Sequence, residues 1–564
     1  MRPRYATPLV VLISIGTASC GGATNADQWD ALVGQFLETY FEFNPTFAAY
    51  QGRHEFDGIL PDMSEEGLRR NIDWLKSAKA EVLAFDLESL DAQRRFERGY
   101  VLSVIDNDLF WFEEAEWPWR NPNYYSLSPD VYLTREYAPL EDRMRAYVRW
   151  AQAVSTVTEQ AKQNLRLPLP RSYIDIGRIR FGGLAGYLED DVPGVFASVT
   201  DSSLWAEFGP ASTQAISALR DFDQWLEDQR PEQTEDFALG AELFSKMLWA
   251  TERVDVPLDR LEEIGREDLE RNLAAMREAC AAYAPGQAVP ECVESVKAIK
   301  PVGGAVVGAR NQLGMLEEFV RANELVSIPG TERALVDESP PHRRANFAYI
   351  DIPGPYEEGL PSIYYIAPPD PSWTPEEQAQ YVPGVTDLLG VSVHEVWPGH
   401  FLQFLHANRS QSRFAQVFVG YAFAEGWAHY AEELVWESGL GDGDPEVHIG
   451  QLLNALLRNV RLISAIGLHT QGMSIEESER MFLEFGYQDP GNARQQAARG
   501  TYDPAYLNYT MGKLMIRKLR EEWTAETGGR DAWREFHDQF LSYGGPPIPL
   551  VREAMLGEGS GPPL

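Results

Sequence analysis

His394, Glu395 and His400 lie within one short apolar segment of the chain, residues 392–403. Side chains of these types on a helix are the groups that build a catalytic zinc site. The histidines bind the metal, and the glutamate lies beside the open position where a water molecule must lose a proton. The usual spacing is His-Glu-x-x-His. In this chain the second histidine comes two residues later.

The wider spacing decides whether the two histidines can share a metal ion. Positions i and i+6 of a straight helix lie about 120° apart around the axis, whereas positions i and i+4 lie about 40° apart. Pro398 lacks an N–H for the carbonyl of His394, and Gly399 accepts dihedrals that other residues resist. If these two residues bulge outward, His400 returns to the face of His394. The alternative is a surface helix that ends at Trp397 and carries two unrelated histidines.

A second segment, residues 424–432, offers a third ligand. It reads Ala-Glu-Gly-Trp-Ala-His-Tyr-Ala-Glu, begins 24 residues beyond His400 and has the pattern of a helix. A carboxylate from a following helix is the expected partner of two imidazoles at a zinc site. Glu425 is the better candidate, because the small residues beside it let this helix approach closely. Glu432 is then either an acceptor that supports a ligand or an ordinary solvated charge.

The two motifs together resemble a known family. His-Glu-x-x-Pro-Gly-His-x-x-Gln followed by Glu-Gly-Trp-Ala-x-Tyr-Ala-Glu resembles the bacterial family called domain of unknown function 885 (DUF885), which is similar in pattern to zinc peptidases of the thermolysin-like clan. The resemblance continues through residues 257–265, 461–469, 499–512 and 535–538, and so covers nearly all of the mature chain. It implies a mainly α-helical metallohydrolase.

This ligand set predicts amide hydrolysis with Zn²⁺ as the cofactor. Zinc held by His394, His400 and Glu425 would lower the pKa of its water from about 16 toward 7. Glu395 would take the proton and later pass it to the leaving amine. A tetrahedral oxyanion then needs a hydrogen-bond donor. Tyr509 is the first candidate.

Further candidates for contacts with the substrate come from the late part of the chain. Tyr502 is the second candidate for the oxyanion donor, because residues 499–512 resemble the family and helical zinc peptidases use a late Tyr or His. His469 is a candidate second donor, with a structural histidine as the alternative. Arg461 is a candidate anchor for a substrate carboxylate, with a buried salt bridge as the alternative. Arg499 is a further candidate for substrate binding.

Strand patterns occur only between residues 331 and 368. Residues 346–352 and 362–366 are rich in β-branched and aromatic side chains and predict a small sheet just before the metal helix. In thermolysin-like peptidases an edge strand beside the metal helix pairs with the substrate backbone, and the resemblance implies the same here. Tyr364 and Tyr365 are therefore candidates for substrate binding.

Helical periodicity dominates the rest of the chain, so the predicted fold class is mainly α with a small β element beside the metal helix. A chain of 564 residues with 44% hydrophobic and 12% aromatic residues can build a large core. Its composition stays even between residues 28 and 556, which predicts a single large catalytic domain. Residues 557–564 form a Gly/Pro-rich tail.

The first residues predict export. Residues 1–20 resemble a bacterial lipoprotein signal, with a basic start, a short apolar run and small residues before Cys20. Cys20 would be acylated, and residues 21–27 would form a flexible tether. A periplasmic or cell-envelope lipoprotein is the first expectation, and plain secretion is the second. Cys280 and Cys292 then form either a disulfide, favoured in an oxidising compartment, or two buried thiols.

The charge balance limits the partners. A formal net charge of −36 argues against nucleic acid and against anionic lipid. The expected partner is a short peptide or a peptide-like substrate, and contact with a membrane is expected only through an N-terminal lipid. The sequence thus predicts a zinc hydrolase of peptide or peptide-like amide bonds. The alternatives are a catalytically silent binding lipoprotein and a metal amidohydrolase that acts on other amides.

Overall fold

The computed structural model describes residues 24–340, 343–344, 347–371 and 373–564. Cys20 and the predicted signal peptide lie outside these residues. The first helix begins at Asn25, so residues 25–27 of the predicted tether are helical rather than flexible. Helices make up 70% of the structure and strands 3%, which confirms the mainly α fold class with a small β element. No helix in the described part of the chain has both the length and the apolar character needed to cross a bilayer.

The N-terminal helices surround one hydrophobic core. They are α1 (Asn25–Phe43), α2 (Pro45–Tyr50), α3 (Glu65–Ala84) and α4 (Ala92–Leu109). Thr24 and Asp27 start α1 with a capping box, in which each side chain accepts a hydrogen bond from the backbone N–H of the other. Trp29 and Phe36 lie on the buried face of α1, and Phe418 from a later segment packs into the same core.

A second group of helices has its own core. These helices are α5 (Trp117–Arg120), α6 (Asp130–Thr134), α7 (Leu140–Asn164), α8 (Arg171–Asp190), α9 (Val192–Val195) and α10 (Ser202–Asp228). The long helix α10 packs along both α7 and α8. Tyr147 and Trp150 of α7 and Phe222 of α10 are fully buried between them.

The remaining helices build the largest core, which contains the candidate site. They are α11 (Ala241–Glu252), α12 (Leu258–Tyr283), α13 (Val289–Lys297), α14 (Ala305–Ala322), α15 (Pro375–Tyr381), α16 (Val385–Glu395), α17 (His400–Ala407), α18 (Arg413–Val417), α19 (Tyr421–Glu437), α20 (Pro445–Thr470), α21 (Ile475–Glu484), α22 (Pro490–Tyr502), α23 (Asn508–Thr527), α24 (Trp533–Ser542) and α25 (Ile548–Leu556). Helix α12 packs along α20, α19 packs along α23, and α16 lies against both α19 and α20. The tail 557–564 contains no helix or strand.

Two glycines set the contact between α19 and α23. A Cβ atom on Gly426 would lie 2.6 Å from the Cα atom of Gly512, and one on Gly512 would lie 2.2 Å from the carbonyl oxygen of Ala422. Larger residues would therefore push the two helices apart. The close approach that the sequence predicted beside Glu425 thus occurs against α23, which carries Tyr509.

A buried ionic network joins three of the helices around the site. Lys513 Nζ of α23 lies 2.8 Å from Asp268 Oδ2 of α12 and 3.2 Å from Glu433 Oε2 of α19. Burial would raise the pKa of Asp268, but the charges of Lys513 and Arg271 lower it well below the usual value. Because each buried charge has a partner of opposite sign, the network fixes the relative positions of these helices.

The described residues form one sheet of three strands. The strands are β1 (Ala334–Glu338), β2 (Ala348–Asp351) and β3 (Ser362–Ile366), in the order β1-β3-β2. Strand β3 pairs with β1 in parallel and with β2 in antiparallel orientation. The strand that carries Tyr364 and Tyr365 is therefore central, not an edge, and its backbone is already paired on both sides. The edge strands are β1 and β2, and β2 lies against α16, so an edge strand does lie beside this helix.

The two remaining cysteines form a disulfide. Cys280 near the end of α12 and Cys292 in α13 are bonded, with their Cα atoms 5.8 Å apart. Of the two states that the sequence allowed, the structure therefore has the bridge rather than the two thiols. The bridge closes the turn between these helices.

His54 joins the N-terminal helices to the loop between β2 and β3. Its Nδ1 lies 3.1 Å from Asp57 and its Nε2 lies 3.2 Å from Glu357. Burial lowers the pKa of His54, but the hydrogen bonds to these carboxylates outweigh burial and raise the pKa to about 9. The charged imidazole thus contributes stability that is complete below the unfolded-state pKa of 6.5 and is lost as the pH rises through 9.

We expect His54→Gln to lower the free energy of unfolding by about 1–2 kcal/mol at pH 6 and by much less at pH 10. Denaturant unfolding at the two pH values measures the difference. His448→Gln is the matched control, because burial lowers the pKa of His448 to about 4 and leaves it neutral at both pH values. Equal losses for His54→Gln at pH 6 and pH 10 would contradict the charged role.

Candidate metal centre

The segment between the two histidines leaves the helix. Helix α16 ends at Glu395 and α17 begins at His400. Val396 has φ −125° and ψ −69°, and Gly399 has φ −71° and ψ −136°, so the chain makes a corner rather than a bulge within one helix. The Trp397–Pro398 peptide bond is cis. A break at the proline and glycine was predicted, and it brings His400 back toward His394.

Two hydrogen bonds hold this corner. The backbone N–H of Gly399 donates to the carbonyl oxygen of Val393 at 3.0 Å, and Trp427 Nε1 of α19 donates to the carbonyl oxygen of Pro398 at 2.8 Å. A Cβ atom on residue 399 would lie 1.7 Å from the carbonyl oxygen of His394. Glycine is therefore required here for a close backbone contact.

The corner places His394 and His400 around Glu425. Glu425 Oε2 lies 3.3 Å from His394 Nε2 and 3.4 Å from His400 Nε2, and the three ligand atoms all lie within 4.8 Å of one another. Ligands at about 2.1 Å from a tetrahedral ion lie about 3.4 Å from each other. Two imidazole nitrogens and one carboxylate oxygen also form a common catalytic zinc set.

The other nitrogen of His394 is held by Glu432. His394 Nδ1 lies 2.8 Å from Glu432 Oε1, which leaves Nε2 to face Glu425. Arg458 and His429 also contact the Glu432 carboxylate, each at 3.3 Å. Burial would raise the pKa of Glu432, but the charge of Arg458 and the contact with His429 lower it. Glu432 is thus the acceptor that orients a ligand, not a solvated charge.

Two polar atoms of the candidate ligands lack a hydrogen-bond partner among the described residues. They are Glu425 Oε2 and His400 Nδ1, and both are buried. Burial would raise the pKa of Glu425, but the neighbouring His400 and His394 lower it well below the usual value. A buried carboxylate oxygen faced by two imidazole nitrogens is a fitting environment for a divalent metal ion.

Glu395 lies in the same buried environment. Burial raises its pKa, while the charges of His394 and His400 act in the opposite direction. Its neighbour Tyr364 is fully buried, and the Glu395 carboxylate raises the pKa of that phenol further. The Tyr364 side chain thus lies near the carboxylate of Glu395, the candidate base. Tyr365 points to the other face of the sheet, where its ring contacts that of Tyr349 in a tilted arrangement, with the centroids 5.2 Å apart.

Tyr509 lies beside the candidate ligands. Its ring stacks near the His394 ring, with the centroids 6.2 Å apart. Three guanidinium groups lie over the Tyr509 ring, those of Arg461 at 4.7 Å, Arg458 at 5.6 Å and Arg499 at 5.9 Å. The first candidate for an oxyanion donor is therefore at the site, within a strongly positive wall.

The three arginines differ in their partners. Arg458 pairs with Glu432, and Arg499 Nε donates to Asp503 Oδ2 at 2.9 Å. Arg461 Nε donates to Gln496, and no carboxylate in the described residues lies within ion-pair distance of its guanidinium. Of the two predictions for Arg461, the structure thus lacks the buried salt bridge. Burial and the two neighbouring arginines lower the pKa of Arg461.

Two predicted residues are engaged elsewhere. His469 Nε2 donates to the carbonyl oxygen of Gly500 at 2.7 Å, and its Nδ1 accepts from the N–H of Leu239 at 3.3 Å. Burial lowers the pKa of His469 to about 4, so this is a neutral structural histidine rather than the predicted donor to substrate. Tyr502 lines a separate aromatic cavity, and no described hydrogen bond or ring contact joins it to the candidate ligands.

Sequence reasoning missed Arg458. It lies one turn before Arg461 on α20, so the i, i+3 spacing placed both side chains on one face. That spacing was the available signal. Its partner Glu432 was considered, but the ion pair between α19 and α20 is a tertiary contact that the sequence pattern does not show.

The site and fold can be compared with known proteins. Residues 45–555 match the family model of DUF885, which is described as a bacterial protein of unknown function. The chain belongs to the DUF885 family. This confirms the resemblance found in the two motifs. No protein with a curated description matches the chain.

Two solved structures share this fold. One is a candidate lipoprotein of unknown function from Shewanella oneidensis, with a TM-score of 0.78 and 22% identity, over 95% of this chain and 100% of that chain. The other is a candidate lipoprotein from Colwellia psychrerythraea, with a TM-score of 0.78 and 16% identity, over 95% of this chain and 99% of that chain. At these identities the likeness shows the fold alone.

Proposed function

We propose that this DUF885 chain is a zinc-dependent hydrolase of peptide or peptide-like amide bonds, with an architecture similar to helical zinc peptidases. The observation that carries the proposal is the convergence of His394, His400 and Glu425 within 4.8 Å of one another. The orientation of His394 by Glu432 supports it, because zinc-binding histidines commonly donate their second N–H to a carboxylate.

Each remaining residue of the site has a role in amide hydrolysis. A zinc ion held by His394, His400 and Glu425 would supply Lewis acidity and would lower the pKa of a water molecule to about 7. Glu395 would take the proton of the attacking water and later deliver it to the leaving amine nitrogen. Tyr509 donates its O–H to the developing oxyanion, in a wall of three arginines that favours negative charge.

The test of this function is metal dependence on a library of short peptides. We expect chelation to abolish hydrolysis and one equivalent of Zn²⁺ per chain to restore it. Mass spectrometry of the products identifies the cleaved bond. Full activity in the chelated protein would contradict the proposal. A chain with neither zinc nor hydrolysis would instead support the binding lipoprotein, and cleavage of other amides alone would support the amidohydrolase.

Arg461 is the proposed anchor for a free carboxylate of the substrate. It is buried, lacks a carboxylate partner among the described residues and lies over the Tyr509 ring. A buried cation without a counter-ion is costly, and a substrate carboxylate would supply one.

We expect Arg461→Met to raise KM for peptides with a free C-terminus by about 10–100-fold. The same peptides with an amidated C-terminus are the control, because they have no carboxylate to lose. Steady-state kinetics on the two series measures the difference. An equal change in KM for both series would show that Arg461 has only a structural role.

We also propose that Cys20 carries a lipid that anchors the chain in the cell envelope. The resemblance of residues 1–20 to a lipoprotein signal supports this localisation. The two structurally similar proteins are both described as candidate lipoproteins.

A further inference from the structure

A cavity in the described part of the chain lies next to the candidate metal centre but does not include its ligands. It has a volume of about 450 Å³ and is formed by α4, the segment 417–421 and residues 502–508. Eight aromatic side chains line it, among them Tyr40, Trp111 and Trp117. This size suits a side chain or a small molecule.

All charged side chains that line the cavity in the described structure are acidic. They are Asp108, Glu252 and Asp503. Asp503 is neutralised by Arg499, which lies 2.9 Å away. Asp108 and Glu252 have no basic partner within ion-pair distance among the described residues. The cavity therefore combines an aromatic wall with two carboxyl groups that lack a cation.

Glu252 is the more informative of these two groups. It is only 1% exposed, and its Oε1 accepts hydrogen bonds from the Ala422 N–H at 3.1 Å and from Asn508 Nδ2 at 2.9 Å. Its other oxygen, Oε2, is buried and has no hydrogen-bond partner among the described residues. Burial raises the pKa of Glu252 to about 8. A buried carboxyl oxygen without a hydrogen-bond partner is stabilised by any donor or cation that reaches it.

We propose that this cavity is a binding site for an ammonium or guanidinium group of the substrate. Aromatic faces attract such cations, and carboxylates pair with them. The chemistry is shared by a lysine or arginine side chain and by the α-amine of a peptide. The inference that the bound cation belongs to a substrate rests on the proposed hydrolysis. The inference that the cavity binds a cation does not.

The cavity lies close enough to the metal centre to hold a residue beside the scissile bond. Tyr421 lines the cavity, and its ring lies 5.8 Å from that of Tyr509. Tyr509 in turn stacks near His394. Helix α19 begins at Tyr421 and presents Glu425 one turn later. The cavity and the metal centre thus share one wall.

The first test measures binding by calorimetry to the zinc-loaded full chain with Glu395→Gln, which blocks turnover. The probes are N-acetyl-lysine amide, N-acetyl-norleucine amide and norleucine amide, which carry a side-chain cation, no cation and an α-amine respectively. We expect one of the two cationic probes to bind at least about tenfold tighter than N-acetyl-norleucine amide. The tighter probe identifies the source of the cation. Equal affinities for all three probes would overturn the proposal.

Glu252→Gln then tests the role of the carboxyl group. Glutamine keeps an oxygen for Ala422 and Asn508 but cannot ionise to a carboxylate when a cation binds, and we expect the preference for the cationic probe to fall about tenfold. Asp108→Asn is the second variant, with a smaller expected loss, and thermal unfolding verifies that both variants are folded. An unchanged preference in both folded variants would overturn the proposal.

The two proposals fail in different ways. Cation binding that depends on Glu252, in a chain that hydrolyses no peptide, would contradict the hydrolase and support the cavity site. In the opposite case the chain shows zinc-dependent hydrolysis, but kcat/KM stays the same when lysine in the peptide is replaced by norleucine and when the α-amine is acetylated. That result would support the hydrolase and contradict the cavity site.

Discussion

Glu395→Gln is expected to lower kcat for amide hydrolysis by about 10²–10⁴-fold while the protein keeps one zinc ion per chain. Glutamine has nearly the shape of glutamate but cannot accept a proton from water. Glu395 is not among the three residues whose ligand atoms converge, so its replacement leaves the donor set complete. Stopped assays on the best peptide and elemental analysis of the same sample measure the two effects.

Glu425→Gln is the matched control for this prediction. It changes a carboxylate of the same size on the neighbouring helix, but one that faces both histidines at 3.3 and 3.4 Å. We expect it to lose zinc together with activity. Activity of Glu395→Gln within tenfold of the unaltered chain would show that another group takes the proton.

Gly399→Ala is expected to remove both stoichiometric zinc and activity. The added Cβ would lie 1.7 Å from the carbonyl oxygen of His394 and 2.4 Å from that of Val393. Since these are backbone atoms, the corner between α16 and α17 must open, and His400 then moves away from Glu425. We also expect a loss of about 2–4 kcal/mol in the free energy of unfolding from the disrupted packing.

Gly314→Ala is the control for the corner variant. Gly314 lies inside α14, and a Cβ atom there would meet no other atom within 4 Å. Alanine should therefore keep zinc and activity and stabilise the helix by about 0.5–1 kcal/mol. Elemental analysis and denaturant unfolding compare the two variants. Gly399→Ala with a full complement of zinc would contradict the role given to the corner.

The convergence of the three candidate ligands was predictable because their chemistry is local. The Pro-Gly pair signals a break between His394 and His400, and a glutamate on the next helix is the expected third ligand. The shape of the break was not predictable in detail. It depends on the hydrogen bond from Trp427 to the carbonyl oxygen of Pro398, which joins two helices.

The order of the strands in the sheet could not be predicted from the sequence. Residues 346–352 and 362–366 were predicted as strands, and they contain β2 and β3. Strand β3 is central because it also pairs with β1, in which Val336 lies opposite Tyr364. Pairing partners of this kind are set by tertiary structure, and alternation along one strand does not reveal them. The edge position beside α16 therefore belongs to β2 rather than to the strand that carries Tyr364 and Tyr365.

His469 and Arg461 illustrate the same limit for single residues. Both lie on the buried faces of α20, and the sequence left a structural and a functional role open for each. The backbone groups of Gly500 and Leu239 decide the first case, because they use both nitrogens of His469. Arg461 lacks a carboxylate partner among the described residues and lies beside Tyr509, and its role as an anchor stays a prediction. Each outcome rests on neighbours that are distant in the chain.

Anomalous diffraction at the zinc absorption edge tests the central claim most directly. Crystals of the full chain grown with zinc, measured on both sides of the edge, locate the ion without any assumption about activity. The account predicts one strong peak about 2.0–2.2 Å from His394 Nε2, His400 Nε2 and a carboxylate oxygen of Glu425. No peak at these three residues, or a peak bound only by other side chains, would contradict it.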